Sequence, residues 1–409
     1  MKKIVLAYSG GLDTSCAIKW LKDKGFEVIC FIADLGQGED FQKIEARALA
    51  GGARKVYVKD LQDEFIKDFI VPAIKANAVY EGKYLLATAL GRPLIAKYLV
   101  EVAHKEKAEY VGHGCTGKGN DQVRLEVTTG ILDPKLKIIA PLREWEFKSR
   151  EEEIDYALKN NIPIDVNKKK VYSLDRNLWG ISIEAGILEN LEQEPPEDAY
   201  IMTKSPSGVS SYPKYLDISF AKGVPNKVDG KAYGLKEIIC MLNDLGGSYS
   251  IGRTDLVENR LVGIKSREIY EAPAGTMLYI AHKELESLVL DREVAHFKEI
   301  ISLKYAELIY YGLWYSRLRE ALDGVINSTQ KQLSGTIKLK LFKGTCVAVA
   351  RKSPHSLYKK ELATYGKEDK FDQKLAEGLI KRRGLPYKRE SWATETLAVL
   401  EIKYATLRK

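Results

Sequence analysis

The sequence predicts an α/β protein whose N-terminal part is a parallel sheet covered by helices, and two observations carry that reading. Apolar runs of strand length alternate with helical patterns up to about residue 165, as in a parallel sheet with helices on both faces. The first run, Ile4-Val5-Leu6-Ala7-Tyr8, passes straight into Ser9-Gly10-Gly11-Leu12-Asp13-Thr14-Ser15 and then into a helical pattern. A strand, a glycine turn and a helix N-terminus in that order hold a phosphate chain. Glycine lets the backbone approach the anion, and the helix dipole favours negative charge there.

Each element has its own local reason. Lys3–Tyr8 reads as a strand and Asp13–Lys24 as a helix that turns Cys16, Ala17, Trp20 and Leu21 inward, with Gly25 at its end. A strand at Glu27–Ile32 precedes a helix from Asp40 to Ala50, stopped by Gly51-Gly52, and Lys55–Val58 is a third strand. A longer helix runs from Pro93 to Lys105, and Tyr110-Val111 enters a second glycine-rich segment. Lys137–Ile139 is the last strand of the series, and Ser149 opens a helix with Glu151, Glu152 and Glu153 in its first turn. In such a sheet, ligands lie beyond the carboxyl ends of the strands.

After Lys168-Lys169-Lys170 the pattern becomes mixed α+β. Pro195-Pro196 interrupts the chain, and Tyr215–Phe220 alternates as a strand ending near a turn at Asn226–Gly230. A helix is expected at Leu235–Leu245, a strand at Leu261–Lys265 and a long helix from Arg292 to Tyr311. Ile337–Phe342 and Thr345–Ala350 form a hairpin through Lys343-Gly344. The last helical pattern, Asp369 to Arg383, spaces Phe371, Leu375 and Leu379 four apart and meets Gly384 and Pro386. A lone amphipathic helix after a finished domain needs a surface for its stripe, and an oligomer interface supplies one. The expected domains are 1–166 (nucleotide-binding), 167–361 (synthetase) and 362–409 (a C-terminal oligomerisation arm).

Composition bounds the class. A chain of 409 residues exceeds the usual single domain, and no apolar run approaches membrane-spanning length. Cys16, Cys30, Cys115, Cys240 and Cys346 are scattered and form no CxxC pair, which excludes a disulfide framework and a thiolate zinc site. The five histidines lack ligand spacing, so no metal centre is expected. A soluble, cytoplasmic protein follows. From Lys331 onward there are 19 Lys and Arg against 8 Asp and Glu, and the first 330 residues hold 45 against 48. A basic tail of this kind suits either a nucleic-acid surface or a solvated helix face that attracts anionic substrates, and the second is favoured.

The second glycine-rich segment, Gly112 to Arg124, offers Thr116, Asn120, Asp121 and Arg124 on an accessible backbone. A carboxylate for an ammonium and a guanidinium for a carboxylate suit a zwitterionic amino acid. A polar surface loop capped by Asn120-Asp121 is the plain alternative.

The loop at Ser9–Ser15 matches SGGxDxS of the ATP pyrophosphatases. Further matches follow in AYSGGLDTS (Ala7–Ser15), ADLGQGEDF (Ala33–Phe41), EGKYLLATALGRPLIAK (Glu81–Lys97), GHGCTGKGNDQVR (Gly112–Arg124), YSLDRNLWGISIEAG (Tyr172–Gly186), IGRTDLVENRLVGIKSREIYEAPAGT (Ile251–Thr276) and SPHSLY (Ser353–Tyr358). With these the chain resembles the argininosuccinate synthases from end to end. The resemblance implies ligation of citrulline to aspartate, with ATP as substrate, Mg²⁺ carried with the nucleotide, and AMP and pyrophosphate released through a citrullyl-AMP intermediate.

Carried over by position, Ala7, Tyr8, Ser9, Gly10, Gly11, Leu12, Asp13, Thr14, Ser15, Ala33 and Gly114 resemble ATP contacts. Thr116, Asn120 and Asp121 resemble the aspartate site. Tyr84, Asn120, Arg124, Ser173, Ser182, Glu258 and Tyr270 resemble the citrulline site. Asp13, Asp121 and Arg124 are the candidate catalytic residues: Asp13 to hold the turn or meet Mg²⁺, Asp121 to orient or deprotonate the aspartate ammonium. Ala89 stands where some members have serine, and Glu258 stands close enough to Arg260 for a simple ion pair. The resemblance also implies a homotetramer, with neither membrane nor nucleic acid as partner. Two rival readings are a tRNA-modifying pyrophosphatase-loop enzyme and a non-catalytic nucleotide-binding module. An amidotransferase is disfavoured because Met1-Lys2-Lys3 supplies no N-terminal cysteine.

Overall fold

β1 (Lys2–Ala7) is buried on both faces, with Ile4, Val5 and Leu6 sealed from solvent, so it has to be a central strand. The computed structural model describes residues 1–147, 149–163, 172–388 and 400, and the lysine run at 168–170 lies outside them. β2 (Phe26–Asp34) and β3 (Lys55–Asp60) extend the sheet on one side of β1, and β4 (Tyr110–Gly112) and β5 (Lys137–Ile139) on the other. All pairs are parallel, in the order β3-β2-β1-β4-β5. The chain therefore changes direction across the sheet between β1 and β4. The loops leaving those two strands flank the crevice where ligands of such sheets bind.

The helices follow their caps. α1 (Leu12–Asp23) buries Cys16, Ala17, Trp20 and Leu21 as expected, and Gly25 takes φ +83° just beyond its end. Asp40 caps α2 (Phe41–Ala50) by accepting from Lys43 N. The expected helix from Pro93 begins six residues earlier, as α3 (Ala87–Glu106), with Pro93 inside it. Proline forfeits one backbone bond there, but the surrounding turns are almost wholly buried, and packing outweighs that loss. Asn120-Asp121, for which a cap on a polar surface loop was the plain alternative, start α4 (Asn120–Leu132), which packs along α3. Asn, Asp, Thr and Gly lower its intrinsic helix propensity, so tertiary contact decides it. Ser149 caps α5 (Arg150–Lys159) as predicted.

The second half builds two antiparallel sheets. β6 (Ser173–Asn177), β7 (Gly180–Glu184), β11 (Arg253–Asn259) and β12 (Lys265–Glu271) pair in the order β11-β12-β7-β6. β8 (Lys214–Ala221), β9 (Val224–Val228), β10 (Lys231–Ala232), β13 (Gly335–Phe342) and β14 (Thr345–Lys352) pair as β10-β9-β8-β13-β14. The expected turn at 226–230 is displaced: Lys222-Gly223 and Asp229-Gly230, all at positive φ, make two tight turns around β9. The expected strand at Leu261–Lys265 is mostly the connection between β11 and β12, where Gly263 sits at φ +88° and Val262 and Ile264 are exposed. An apolar run with no core to enter gains nothing by extending. The predicted β13–β14 hairpin is present, as is the long helix, α8 (Arg292–Tyr310). The chain also forms α6 (Leu235–Ser248) before β11, α7 (Pro273–Val289) between β12 and α8, and α9 (Arg317–Thr329) between α8 and β13.

The chain divides into one compact unit, Met1–His355, and a second, Ser356–Lys409. In the second unit the terminal helix occupies 375–388 rather than 369–383. Gly384 is not at positive φ, so it makes no left-handed cap, and the helix continues through Pro386. Phe371, Leu375 and Leu379 of the predicted stripe are 49%, 70% and 63% exposed.

One backbone contact fixes the middle of α4 against the end of α8. Gly312, just beyond α8, has φ +72°, and a Cβ there would lie 2.6 Å from Arg124 Cα. Its carbonyl also accepts from Thr128 Oγ1 at 3.0 Å. Gly312→Ala is expected to destabilise the protein by about 1–3 kcal/mol, seen as a lower unfolding midpoint in urea with little change in slope.

Candidate active site

Beyond β1 the chain turns sharply. Gly10 has φ +78°, a Cβ on it would meet Ile44 at 2.9 Å, and its carbonyl accepts from Arg47 at 2.6 Å. The N-cap of α1 is Gly11, which brings no side chain to the orphan N–H groups of the first turn. They are left for an anion. The hydroxyls brace the loop: Ser9 Oγ lies 3.2 Å from Thr14 Oγ1, and Tyr8 Oη lies 2.9 Å from Ser15 Oγ. Thr14 and Ser15 are buried, whereas Ser9 and Gly11 are exposed at the lip, and Ala7 and Leu12 are half-buried. Asp13 stands in the first turn of α1. Burial and the neighbouring Asp13 together push the Glu153 carboxyl up to about 8. Ala33, near the end of β2, and Gly114, beyond β4, flank this loop. A Cβ on Gly114 would fall 2.6 Å from Thr14 Cγ2; the second glycine segment is packed directly on the first.

That segment leads to a cavity of ≈ 140 Å³. Every residue assigned above to citrulline lines it: Tyr84, Asn120, Arg124, Ser173, Ser182, Glu258 and Tyr270. Asp121 and Gly119 line it as well, whereas Thr116 lies on the exposed turn before α4, outside the lining. Antiparallel register explains the convergence. Asp175 of β6 faces Ser182 of β7, which faces Tyr270 of β12, a polar row across three strands. The alternate positions Ile181, Ile183 and Ile269 point into a small apolar core instead.

Hydrogen bonds fix each side chain. Asn120 Nδ2 donates to Tyr310 Oη at 2.7 Å and to Glu258 Oε1 at 3.2 Å, and Asn120 Oδ1 accepts from Leu261 N at 2.8 Å. Arg124 donates from Nε to Tyr310 O at 2.8 Å and from Nη1 to Asp121 at 2.7 Å, with its guanidinium 4.7 Å from the centre of the Tyr310 ring. The Tyr84 ring stacks on Tyr270 at 3.9 Å, and its oxygen accepts from Thr88 N and Ala89 N. Ala89 is fully buried, and the hydroxyl that reaches the cavity beside it belongs to Thr88, 3.2 Å from Ser182 Oγ.

Charge is unevenly shared. Arg92 donates to Asp121 at 2.8 Å and also pairs with Asp175. Burial pushes the Asp121 carboxyl up, but Arg92 and Arg124 outweigh it and hold the group at about 2. Asp175 has Arg92 alone, and burial together with Asp121 raises it. Arg260 pairs with Glu184 and Glu268, not with Glu258. That leaves Glu258, 1% exposed, without a cation partner; burial and Glu268 push it up to about 7.

Thr88, Asp175, Glu184, Arg260 and Glu268 line the cavity without having been singled out from sequence. Four of them stand two residues from one that was: Asp175 from Ser173, Glu184 from Ser182, Arg260 from Glu258 and Glu268 from Tyr270. The period-two rule for strands places such pairs on one face, and it was the available signal. Tyr310 and Arg92 carried no comparable local mark.

The remaining nucleophiles are quiet. Burial pushes the Cys16 and Cys346 thiols up to about 12 and those of Cys30 and Cys115 further still. None of these four is a thiolate at neutral pH. Among the described residues no cluster of three or more His, Cys, Asp or Glu could hold a metal ion.

Comparison with known proteins covers both halves. The model of the arginosuccinate synthase N-terminal HUP domain matches residues 3–163, and that of the arginosuccinate synthase C-terminal domain matches residues 172–390. The argininosuccinate synthase of Carboxydothermus hydrogenoformans is 55% identical over 388 residues, covering 95% of this chain and 97% of that one. That of Caldanaerobacter subterraneus subsp. tengcongensis is also 55% identical over 388 residues, covering 95% of each. That of Dictyoglomus turgidum is 56% identical over 385 residues, covering 94% of this chain and 96% of its own.

Proposed function

The chain belongs to the argininosuccinate synthase family, and from that premise we propose how its two neighbouring sites divide the ligation. The reaction joins citrulline to aspartate and converts ATP to AMP and pyrophosphate. The observation that carries the assignment of residues is the single cavity lined by all seven citrulline candidates, reached from the phosphate loop through Gly114.

A ureido carbonyl is a poor electrophile because both nitrogens feed electrons into it. Its oxygen attacks the α-phosphorus, pyrophosphate leaves, and the citrullyl-AMP so formed loses AMP to the aspartate amine. The free N–H groups at the start of α1 stabilise the charge growing on the departing pyrophosphate. Mg²⁺ would come with the nucleotide, and Asp13, in the first turn of α1, would either meet it or hold the turn. Arg124 has its Nε committed to the backbone of Tyr310, so it offers citrulline the end of its guanidinium and not the Nε side. Asp121 is too acidic to serve as a base; it orients the aspartate ammonium together with Asn120 and, from the rim, Thr116. Much of the acceleration then comes from holding three substrates in line.

The rival readings lack support. A sulfur-inserting tRNA enzyme needs reactive thiolates, which the raised cysteines do not provide. A non-catalytic module has no use for a polar, arginine-braced cavity beside its nucleotide loop. Among the described residues no helix is long and apolar enough to cross a membrane. The cysteines are free, and a reducing, cytoplasmic setting suits them. The exposed stripe of the terminal helix supports association, and the family resemblance supports a tetramer.

Citrulline alone should support exchange of labelled pyrophosphate into ATP, and net AMP formation should require aspartate as well; exchange that ignores citrulline would refute the assignment. Arg124→Ala removes a charge-assisted contact, and the citrulline KM is expected to rise about 10–100-fold with the ATP KM near normal. Deletion of the residues after Tyr365 should give a smaller assembly by light scattering, and an unchanged mass would remove the terminal stripe from the interface.

A further inference from the structure

Glu258 and Glu268 both reach one hydroxyl. Tyr270 Oη lies 2.6 Å from Glu258 Oε2 and 2.8 Å from Glu268 Oε2. A phenol has a single proton to donate, so it satisfies one carboxylate; the other contact is a hydrogen bond only if that carboxyl carries a proton itself. Arg260 donates to Glu268 at 2.6 Å and so marks Glu268 as the ionised member. Glu258 is met from α8 by Tyr310 Oη at 2.7 Å and from α4 by Asn120 Nδ2 at 3.2 Å, both neutral donors. Its other neighbours are Glu268 and Tyr270 on β12, with Arg124 acting on it from α4 while paired to Asp121.

We propose that Glu258 is a neutral acid in the empty pocket, kept so by Glu268 acting through Tyr270, and that the α-ammonium of citrulline displaces its proton to solvent. The proposal rests on the reading of this cavity as the citrulline site and assigns Glu268 as a positioning residue. The citrulline ammonium goes to Glu258 because Asp121 is assigned to the aspartate ammonium, and Asp175, Glu184 and Glu268 each pair with an arginine at hydrogen-bond distance while Glu258 does not. Burial and Glu268 push Glu258 up to about 7, while the hydrogen bonds from Tyr270 and Tyr310 and the charge of Arg124 pull it back. Below that pH the acid is neutral and the incoming ammonium must expel a proton; above it the carboxylate is already formed. Citrulline binding is therefore about tenfold weaker at pH 6 than at pH 8, a range in which free citrulline does not titrate.

Calorimetric titration of the intact protein with citrulline, in PIPES and in imidazole, two buffers of different ionisation enthalpy, counts the protons directly. A nucleotide analogue blocked at the α–β bridge is present throughout. Release of about 0.9 proton at pH 6, 0.5 at pH 7 and 0.1 at pH 8 is expected. Glu268→Gln removes the neighbouring charge but keeps a polar partner for Tyr270, and the count at pH 7 should fall below that of the wild type, burial alone remaining to favour the neutral acid. A merely structural role for Glu268 would weaken binding and leave the count unchanged, which overturns its assignment. Citrulline that binds the wild type with no proton release at pH 6 or 7 overturns the proposal by itself, whether or not the variant folds. Absence of citrulline binding at every pH would sink the underlying reading of the cavity instead.

Discussion

Keeping five carboxyl groups around one small cavity, largely out of water, is the constraint on which the second half of this molecule depends. Each would be costly if isolated, and the structure answers with three guanidiniums placed between them: Arg92 for Asp121 and Asp175, Arg124 for Asp121, and Arg260 for Glu184 and Glu268. Those arginines come from α3, α4 and the turn between β11 and β12. The elements can approach only in the arrangement that pairs the charges, so the ion pairs specify position more than they add stability.

Topology supplies the other half of the design. The chain changes direction across the parallel sheet between β1 and β4, and the loops leaving those strands emerge side by side. One loop presents bare backbone N–H groups; the other, packed on it through Gly114 and Thr14, runs on into the helix that carries Asn120, Asp121 and Arg124. The site proposed for a leaving pyrophosphate and the one proposed for an amino acid are thereby held about one short segment apart, and the proposal assigns selectivity to the second.

The strand–glycine–helix loop was legible in the sequence because all of its determinants are local: a buried strand, two glycines and a helix start within a dozen residues. So were the first three strands, α1, α2, α5, α8 and the last hairpin, each marked by a cap, a glycine or a clean period. The cavity was a different matter. Its residues run from Tyr84 to Tyr270, and resemblance to a family, not any pattern in the residues, brought seven of them together. The misreadings share one cause. α4 has weak local propensity and forms because α3 is there; α3 tolerates Pro93 because its flanks are buried; Leu261–Ile264 looks like a strand but has no core to enter. In each case a contact distant in sequence outweighed a local signal.

The sheet formed by β6, β7 and β12 has a wall of the polar cavity on one side and a sealed apolar cluster on the other, so it has no indifferent face. A pairing error of a single residue along β7 would send Ser182 and Glu184 into the apolar cluster and turn Ile181 and Ile183 toward Arg260 and Tyr270. Such a chain would lose its small core and its binding chemistry together. Misassembly here therefore has no partly working product: a molecule that recognises its amino acid has, by that fact, also closed this part of its interior.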